Sequence, residues 1–307
     1  MRAGKNDGWT EESPYDRFFD FIAPEADRYG ILLERIEKLN LKSLVVNVAG
    51  NNHIFIFPAG QKLIQNTGFI YGGQDPVMLV AHYDRVKGSP GANDNSAAVF
   101  LLLKASSILD QRGADNWIII FTDKEEIKDG EGIASQGSFS LAEKLKSWGL
   151  ENARIYIFDA CGAGDTFIIS STTDHIMKNS DSPGIKKTKQ LIRDLRDHAL
   201  QIAHYLRLNK VLLAPTPFSD DAGFLRAGLP SQTITMLPSR EAGPYASLLR
   251  NRPEFADFLI LGALKSPAER RSIPETWRTL NNATDTHLRL TPQFYRQIVT
   301  FAVELCL

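Results

Sequence analysis

The run VMLVAHYDRVKGSPGANDNSAAVFLLL, residues 77–103, decides the fold class. Residues 77–81 are five apolar positions without alternation, the pattern of a strand buried on both faces. His82 and Asp84 close the strand, a glycine-containing loop follows, and Asp94 stands near its end. From Ser96 to about Leu109, SAAVFLLLKASSIL then reads as a buried helix. Strand, polar loop and helix in that order make one α/β unit.

Working outward, the unit repeats. NWIIIFTD (116–123), RIYIFDA, DTFIIS and SQTITML read as further strands. LAEKLKSWGL, the long amphipathic KKTKQLIRDLRDHALQIAHYLRL, and SDDAGFLRAG ending at Gly228 read as helices. TPQFYRQIVTFAVELC closes the chain as a helix with Thr291 as N-cap and Pro292 at its first position. Upstream, YDRFFDFIAP and ADRYGILLERIEKL are helical patterns, and LKSLVVNVAG and HIFIFPAG are strands joined by the turn signal AGNN. The expectation is a three-layer α/β domain with a central mixed, mostly parallel sheet and helices on both faces. No linker divides residues 15–307. Residues 1–14 are polar, contain Gly and Pro, and are expected to be mobile.

Composition excludes several functions. The 307 residues are 43% hydrophobic and 23% charged, with a formal net charge of -1, so nothing draws the chain to nucleic acid or to an acidic membrane surface. The N-terminus has no apolar core of signal-peptide type, and no apolar run is long enough to span a bilayer, so a cytoplasmic location is expected. Two cysteines, Cys161 and Cys306, cannot form a disulfide framework. Cys161 reads as a small buried side chain.

In open α/β folds function gathers at the carboxyl ends of strands. That rule brings together His82 and Asp84 after one strand, Glu125 and Glu126 after the next, Asp159 after a third, and Asp94 on the adjoining loop. Any one of these alone reads as a surface histidine, a solvated acid pair or a turn. Their coincidence at strand ends reads as a divalent-metal centre. A histidine with several carboxylates suits zinc or a similar ion, a carboxylate such as Asp94 can bridge two ions, and a free carboxylate nearby can act as base. The adjacent Glu125 and Glu126 can divide the roles of base and ligand. Asp84 is placed to hold the His82 imidazole.

AHYDRVKGSPGANDNSAAV, IIIFTDKEEIKDGEGIASQGS, IYIFDACGAGD and SDDAGFLRAGLPSQTI resemble, in order, the successive motifs of the zinc aminopeptidase family, which also contains glutaminyl cyclase and non-catalytic members. The resemblance runs over roughly residues 77–307. It implies His82 and Asp159 as ligands of one metal, Asp94 as the bridge, Glu126 as ligand of a second metal, Glu125 as general base and Asp84 as the residue orienting His82. It implies hydrolysis of the N-terminal peptide bond of peptides, with zinc as the cofactor, one or two ions per chain.

The chain departs from the family at the late loop, where a histidine ligand belongs four residues before Asp285. Asn281 stands there, followed by Asp285 and Thr286, which match the end of the motif. An amide oxygen is a poorer zinc ligand than an imidazole nitrogen. Three outcomes follow: one metal on His82, Asp94 and Asp159; two metals, with Asn281, water or His287 completing the second position; or loss of metal and catalysis together. The alternative functions are a non-catalytic binding protein on the same fold and glutaminyl-type amide cyclisation. His287 reads as a surface residue. Loops 172–185 and 237–250 are expected to build the pocket for the substrate's first side chain, with KVLLAPTPFSDD bordering the cleft.

Overall fold

The computed structural model describes residues 16–64, 68–70, 75–128, 130–180, 182–260 and 266–307; the N-terminal tail expected to be mobile lies outside them. In chain order the first elements are helices α1 (Phe18–Phe21) and α2 (Arg28–Lys38), then strands β1 (Ser43–Val48), β2 (Asn51–Ile56), β3 (Lys62–Ile64), β4 (Gly68–Ile70) and β5 (Val77–His82). Helix α3 (Ala97–Gln111), β6 (Trp117–Thr122), α4 (Gly137–Ser147), β7 (Arg154–Phe158) and β8 (Thr166–Ser170) follow. Next come α5 (Thr172–Met177), α6 (Pro183–Tyr205), β9 (Val211–Ala214), α7 (Asp220–Arg226) and β10 (Ser231–Leu237). The chain closes with α8 (Ser239–Asn251), α9 (Phe255–Ile260), α10 (Pro267–Ser272), α11 (Glu275–Arg278) and α12 (Tyr295–Leu305).

Eight strands form one mixed sheet in the order β1-β2-β6-β5-β7-β10-β8-β9, and β3 and β4 pair separately. The four central strands, β6, β5, β7 and β10, are mutually parallel, and β8 turns antiparallel against β10. The β1–β2 hairpin turns on Ala49 and Gly50, both at positive φ (54° and 87°), as a two-residue primed turn requires.

The period of two sorts the central strands between layers. Val77, Leu79 and Ala81 of β5, with Trp117, Ile119 and Phe121 of β6, pack among α3, α6 and α12. Met78, Val80, Ile118 and Ile120 pack on the other face against Leu141 and Leu145 of α4 and Phe224 of α7. The chain leaving β5 therefore enters a helix, α3, on one face and the chain leaving β6 enters a helix, α4, on the other. The two connections part at the carboxyl ends of β5 and β6, which opens a crevice at that point. A third apolar cluster joins Ile168, Leu237 and Tyr245 to Phe255 and Trp277, so that α8, α9 and α11 wall one side.

Thr291 departs from the N-cap expectation. A 3₁₀ turn, Pro292–Phe294, precedes α12, and the Thr291 side chain makes no cap bond. Its hydroxyl instead donates to Gly164 O (3.0 Å) and accepts from Gly164 N (2.8 Å), tying the end of the chain to the β7–β8 loop. His175 lies on α5 and meets Asp257 at 2.7 Å. Among the described residues no helix is long and apolar enough to cross a membrane.

Candidate metal centre

The crevice gathers the residues singled out at the strand ends. His82 is 1% exposed. Its Nε2 lies 3.1 Å from Asp94 Oδ1 and 3.8 Å from Asp159 Oδ1, and its Nδ1 lies 3.3 Å from Asp84 Oδ1. Ligand-type atoms of His82, Asp94 and Asp159 fall within 4.8 Å of one another, as do those of His82, Glu125 and Glu126.

Neighbouring backbone holds each group. Lys124 turns the chain at φ 59°, and the next two N–H groups, of Glu125 and Glu126, donate to Asp84 Oδ1 (3.2 Å) and Oδ2 (3.0 Å). Asp84 thus joins the end of β5 to the end of β6 while facing His82. Asp94 sits in an irregular turn, Ala92–Ser96, whose Asp94–Asn95 peptide is cis. The asparagines on either side fix that turn. Asn95 donates to Phe158 O (2.8 Å) and accepts from Ala160 N (3.2 Å), bracketing Asp159, and Asn93 Oδ1 accepts from Gly162 N (2.8 Å). The fully buried Asp285 carboxylate accepts the N–H groups of Asn93 (2.9 Å) and Asp94 (3.0 Å).

The electrostatics are those of a cation site. Burial, then the charge of Asp159, raises Asp94. Burial raises Glu125 well above the usual carboxylate range and, with Asp94, pushes Glu126 up to about 8. Burial alone would raise Asp84 too, but the His82 imidazole and the two backbone N–H groups hold it below its ordinary value. His82 stays well above its ordinary value: burial would lower it, and Asp159, Asp84 and Asp94 outweigh that. Both His82 nitrogens, Glu126 Oε1 and Asp159 Oδ1 are buried and have no hydrogen-bond partner among the described residues. Among the described residues no lysine or arginine forms an ion pair with these carboxylates. Clustered acids around one imidazole, with no lysine or arginine paired to them, fit a divalent ion of the zinc type.

The cluster opens into a cleft of about 360 Å³. Asp94, Glu125, Glu126, Asp159 and Asn281 line its floor and rim, and Phe218, Trp277 and Leu280 give it an apolar side. Among the described residues, none of the expected pocket loops 172–185 and 237–250 lines it. Most of their residues are in α5, α6 and α8, and KVLLAPTPFSDD supplies Thr216, Pro217 and Phe218 instead. His287 is exposed and its ring meets Phe19, with centroids 5.2 Å apart. It joins neither cluster of ligand-type atoms.

Several working residues were not singled out in the sequence. Asn93 and Asn95 flank Asp94 symmetrically, a signal masked by their fitness for a turn. Gln136 donates to Glu125 Oε1 (3.1 Å) from 11 residues away. Asp220 and Asp221, in the first turn of α7, are buried and raised by that burial to about 6 and about 7. The Ser-Asp-Asp run that opens the helix was the available sign.

Asp285→Ala leaves two buried N–H groups without an acceptor, each costing about 1–3 kcal/mol. Chemical denaturation is expected to show a loss of roughly 2–6 kcal/mol. A variant within 1 kcal/mol of the native protein would show that the Asp285 bonds do not anchor the Asp94 turn.

Fold and centre together define a protein of the metallopeptidase fold. The sequence matches Peptidase family M28 over residues 66–277, the greater part of its length, and the chain belongs to that family. No curated protein matches the sequence. Among solved structures, BSAP, a zinc aminopeptidase from Bacillus subtilis, is 15% identical, with 83% of this chain and 49% of that one covered at a TM-score of 0.52. The chain therefore spans about half the length of that relative. The Legionella pneumophila LapA aminopeptidase is 13% identical, with 97% of this chain and 68% of that one covered at a TM-score of 0.60. The Tannerella forsythia glutaminyl cyclase is 14% identical, with 97% and 98% covered at a TM-score of 0.59.

Proposed function

We propose that the protein is a metal-dependent aminopeptidase that hydrolyses the N-terminal peptide bond of peptides. The observation carrying this reading is the cluster of ligand-type atoms of His82, Asp94 and Asp159, with both His82 nitrogens and Asp159 Oδ1 lacking a hydrogen-bond partner among the described residues, at an open cleft that Asp94, Asp159 and Glu125 line. His82, Asp94 and Asp159 would hold one divalent ion, zinc by the nature of the imidazole donor, and Asp94, Glu126 and Asn281 would hold a second. Such an ion supplies Lewis acidity toward a carbonyl oxygen and toward water. Glu125, whose burial favours holding a proton, accepts one from the attacking water and returns it to the leaving amine. Asp84 keeps the imidazole in one orientation. The acid-rich floor, Asp159 included, receives the substrate's free ammonium, while Phe218, Trp277 and Leu280 offer apolar contact to its first side chain. The names of the two aminopeptidase relatives support the reading.

Amide cyclisation of N-terminal glutamine is the second reading. The near end-to-end coverage of the Tannerella forsythia cyclase favours it. One experiment weighs both, together with the non-catalytic reading. The protein is stripped with a chelator, reloaded with zinc, analysed for metal, and given aminoacyl anilides and a peptide beginning with glutamine. Release of the first residue supports the aminopeptidase, and loss of ammonia alone supports the cyclase. Absence of bound zinc and of any turnover overturns both.

The same preparation tests the cluster by pH. A carboxyl group whose pKa is higher folded than unfolded binds its proton more tightly in the folded state. Its stabilising contribution is complete below the unfolded value, 4.5 for a glutamate, and is lost as pH rises through the folded value, about 8 for Glu126. Zinc replaces those protons, so the gain in Tm on adding zinc grows between pH 6 and pH 8. It reaches roughly 5 °C at pH 8 with zinc at about 100 times its Kd. Calorimetric scans showing a gain that shrinks with pH would contradict a carboxylate ligand set.

A further inference from the structure

The loop between β5 and α3 carries Asp84 and leads from His82 to Asp94, and one buried side chain from outside it grips both of its ends. Arg28, on α2, is 6% exposed. Its Nη1 donates to Tyr83 O (3.0 Å) and Asp84 O (3.1 Å), immediately after His82. Its Nη2 donates to Pro90 O (2.8 Å), Gly91 O (3.3 Å) and Ser96 Oγ (2.8 Å), on either side of Asp94. Its Nε donates to Phe21 O (3.1 Å), and the guanidinium lies 4.7 Å from the centre of the Phe21 ring. Among the described residues no carboxylate pairs with it. A planar fork with donors on three nitrogens is spent almost wholly on main-chain carbonyls.

The grip is returned. Arg85, within the loop, donates to Ile22 O (3.2 Å) and Ala23 O (2.7 Å), and also to Pro24 O. Each partner thus sends one arginine into the carbonyls of the other. Gly91 sits where the grip is tightest, at φ +59°, and a Cβ there would stand 2.8 Å from Arg28 Nη2 and 2.6 Å from Asp94 O. The segment supplying Arg28 precedes residues 66–277, the span that matches the family.

We propose that Arg28 is a positioning residue for the metal centre: by bridging the two ends of the 83–96 loop it fixes the separation of His82 and Asp94. The proposal rests on the metal-site reading. Lysine at this position keeps the charge but, as a single point of donors, cannot span both ends. Arg28→Lys should fold, as circular dichroism would show. It should bind zinc at least tenfold more weakly in competition with a chromophoric chelator. Amide hydrogen exchange should rise at least tenfold within residues 83–96 and stay unchanged in β8 and α8. Unchanged zinc affinity with unchanged exchange overturns the proposal. If the native protein binds no zinc, the metal reading fails, and exchange alone decides whether Arg28 fixes the loop. If Arg28→Lys does not fold, Arg28→Gln, which buries no charge and is too short to reach both ends of the loop, gives the same two readouts with the same criteria.

Discussion

Glu125→Gln is expected to lower kcat/KM by about 10³-fold or more while leaving the fold intact. General-base catalysis contributes about 10²–10⁴-fold, and three orders of magnitude correspond to roughly 4 kcal/mol of transition-state stabilisation. The substitution is close to isosteric. A glutamine can still accept from Gln136, which reaches Glu125 Oε1 at 3.1 Å. It removes one charge from a buried group already repelled by Glu126, Asp220 and Asp159, so the melting temperature should hold or rise. Metal analysis of the same variant separates two roles. Glu125 belongs to one ligand-type cluster, with His82 and Glu126, but not to the other. As a base it can be lost without changing zinc content; as a ligand its loss lowers zinc content along with turnover. Retained turnover would remove Glu125 from the chemistry altogether.

What the sequence made legible follows from where burial is two-sided. VMLVA and WIIIF are uninterrupted apolar runs because both faces of the central strands are covered, and a polar residue after such a run has to stand at a strand end. That is why His82, Glu125, Glu126 and Asp159 could be placed together before any coordinates. The edges of the fold were harder to read. β9 is a four-residue edge strand with Leu213 46% exposed, so KVLLA carries no pattern of full burial. Helix α8 contains Gly243 and Pro244, which read as a break. The helix continues because the N–H that Pro244 lacks would have served Arg240 O, in an exposed first turn where water can take its place. The framework of the centre was illegible for another reason. Arg28, Asn93, Asn95 and Asp285 act through main-chain partners, and the bonds of Arg28 to Pro90 and of Asp285 to Asn93 span 62 and 192 residues. No local pattern encodes such a bond.

Asn281→His is expected to raise zinc content by one equivalent per chain, measured by elemental analysis after dialysis against trace zinc. Asn281 lines the cleft with Asp94 and Glu126, the two carboxylates proposed as ligands at the second position. Its backbone is left-handed, with φ 63°, a conformation asparagine adopts at little cost and that histidine also populates more often than most residues. The exchange therefore asks for no backbone rearrangement and replaces an amide oxygen with an imidazole nitrogen, the better zinc donor. If the native protein holds one ion, on His82, Asp94 and Asp159, the variant holds two. If the native protein already holds two, the count stays the same and the weaker site tightens by at least about tenfold. Neither change would mean that residue 281 does not reach the second position, and the ligand set would then end at Asp94 and Glu126. Turnover measured alongside shows what the second ion contributes. A rise in kcat with the added equivalent would mean that the native chain works below the capacity of its own cleft. An unchanged kcat would mean that Glu125 and the ion on His82, Asp94 and Asp159 already suffice, so that asparagine at 281 costs the reaction nothing.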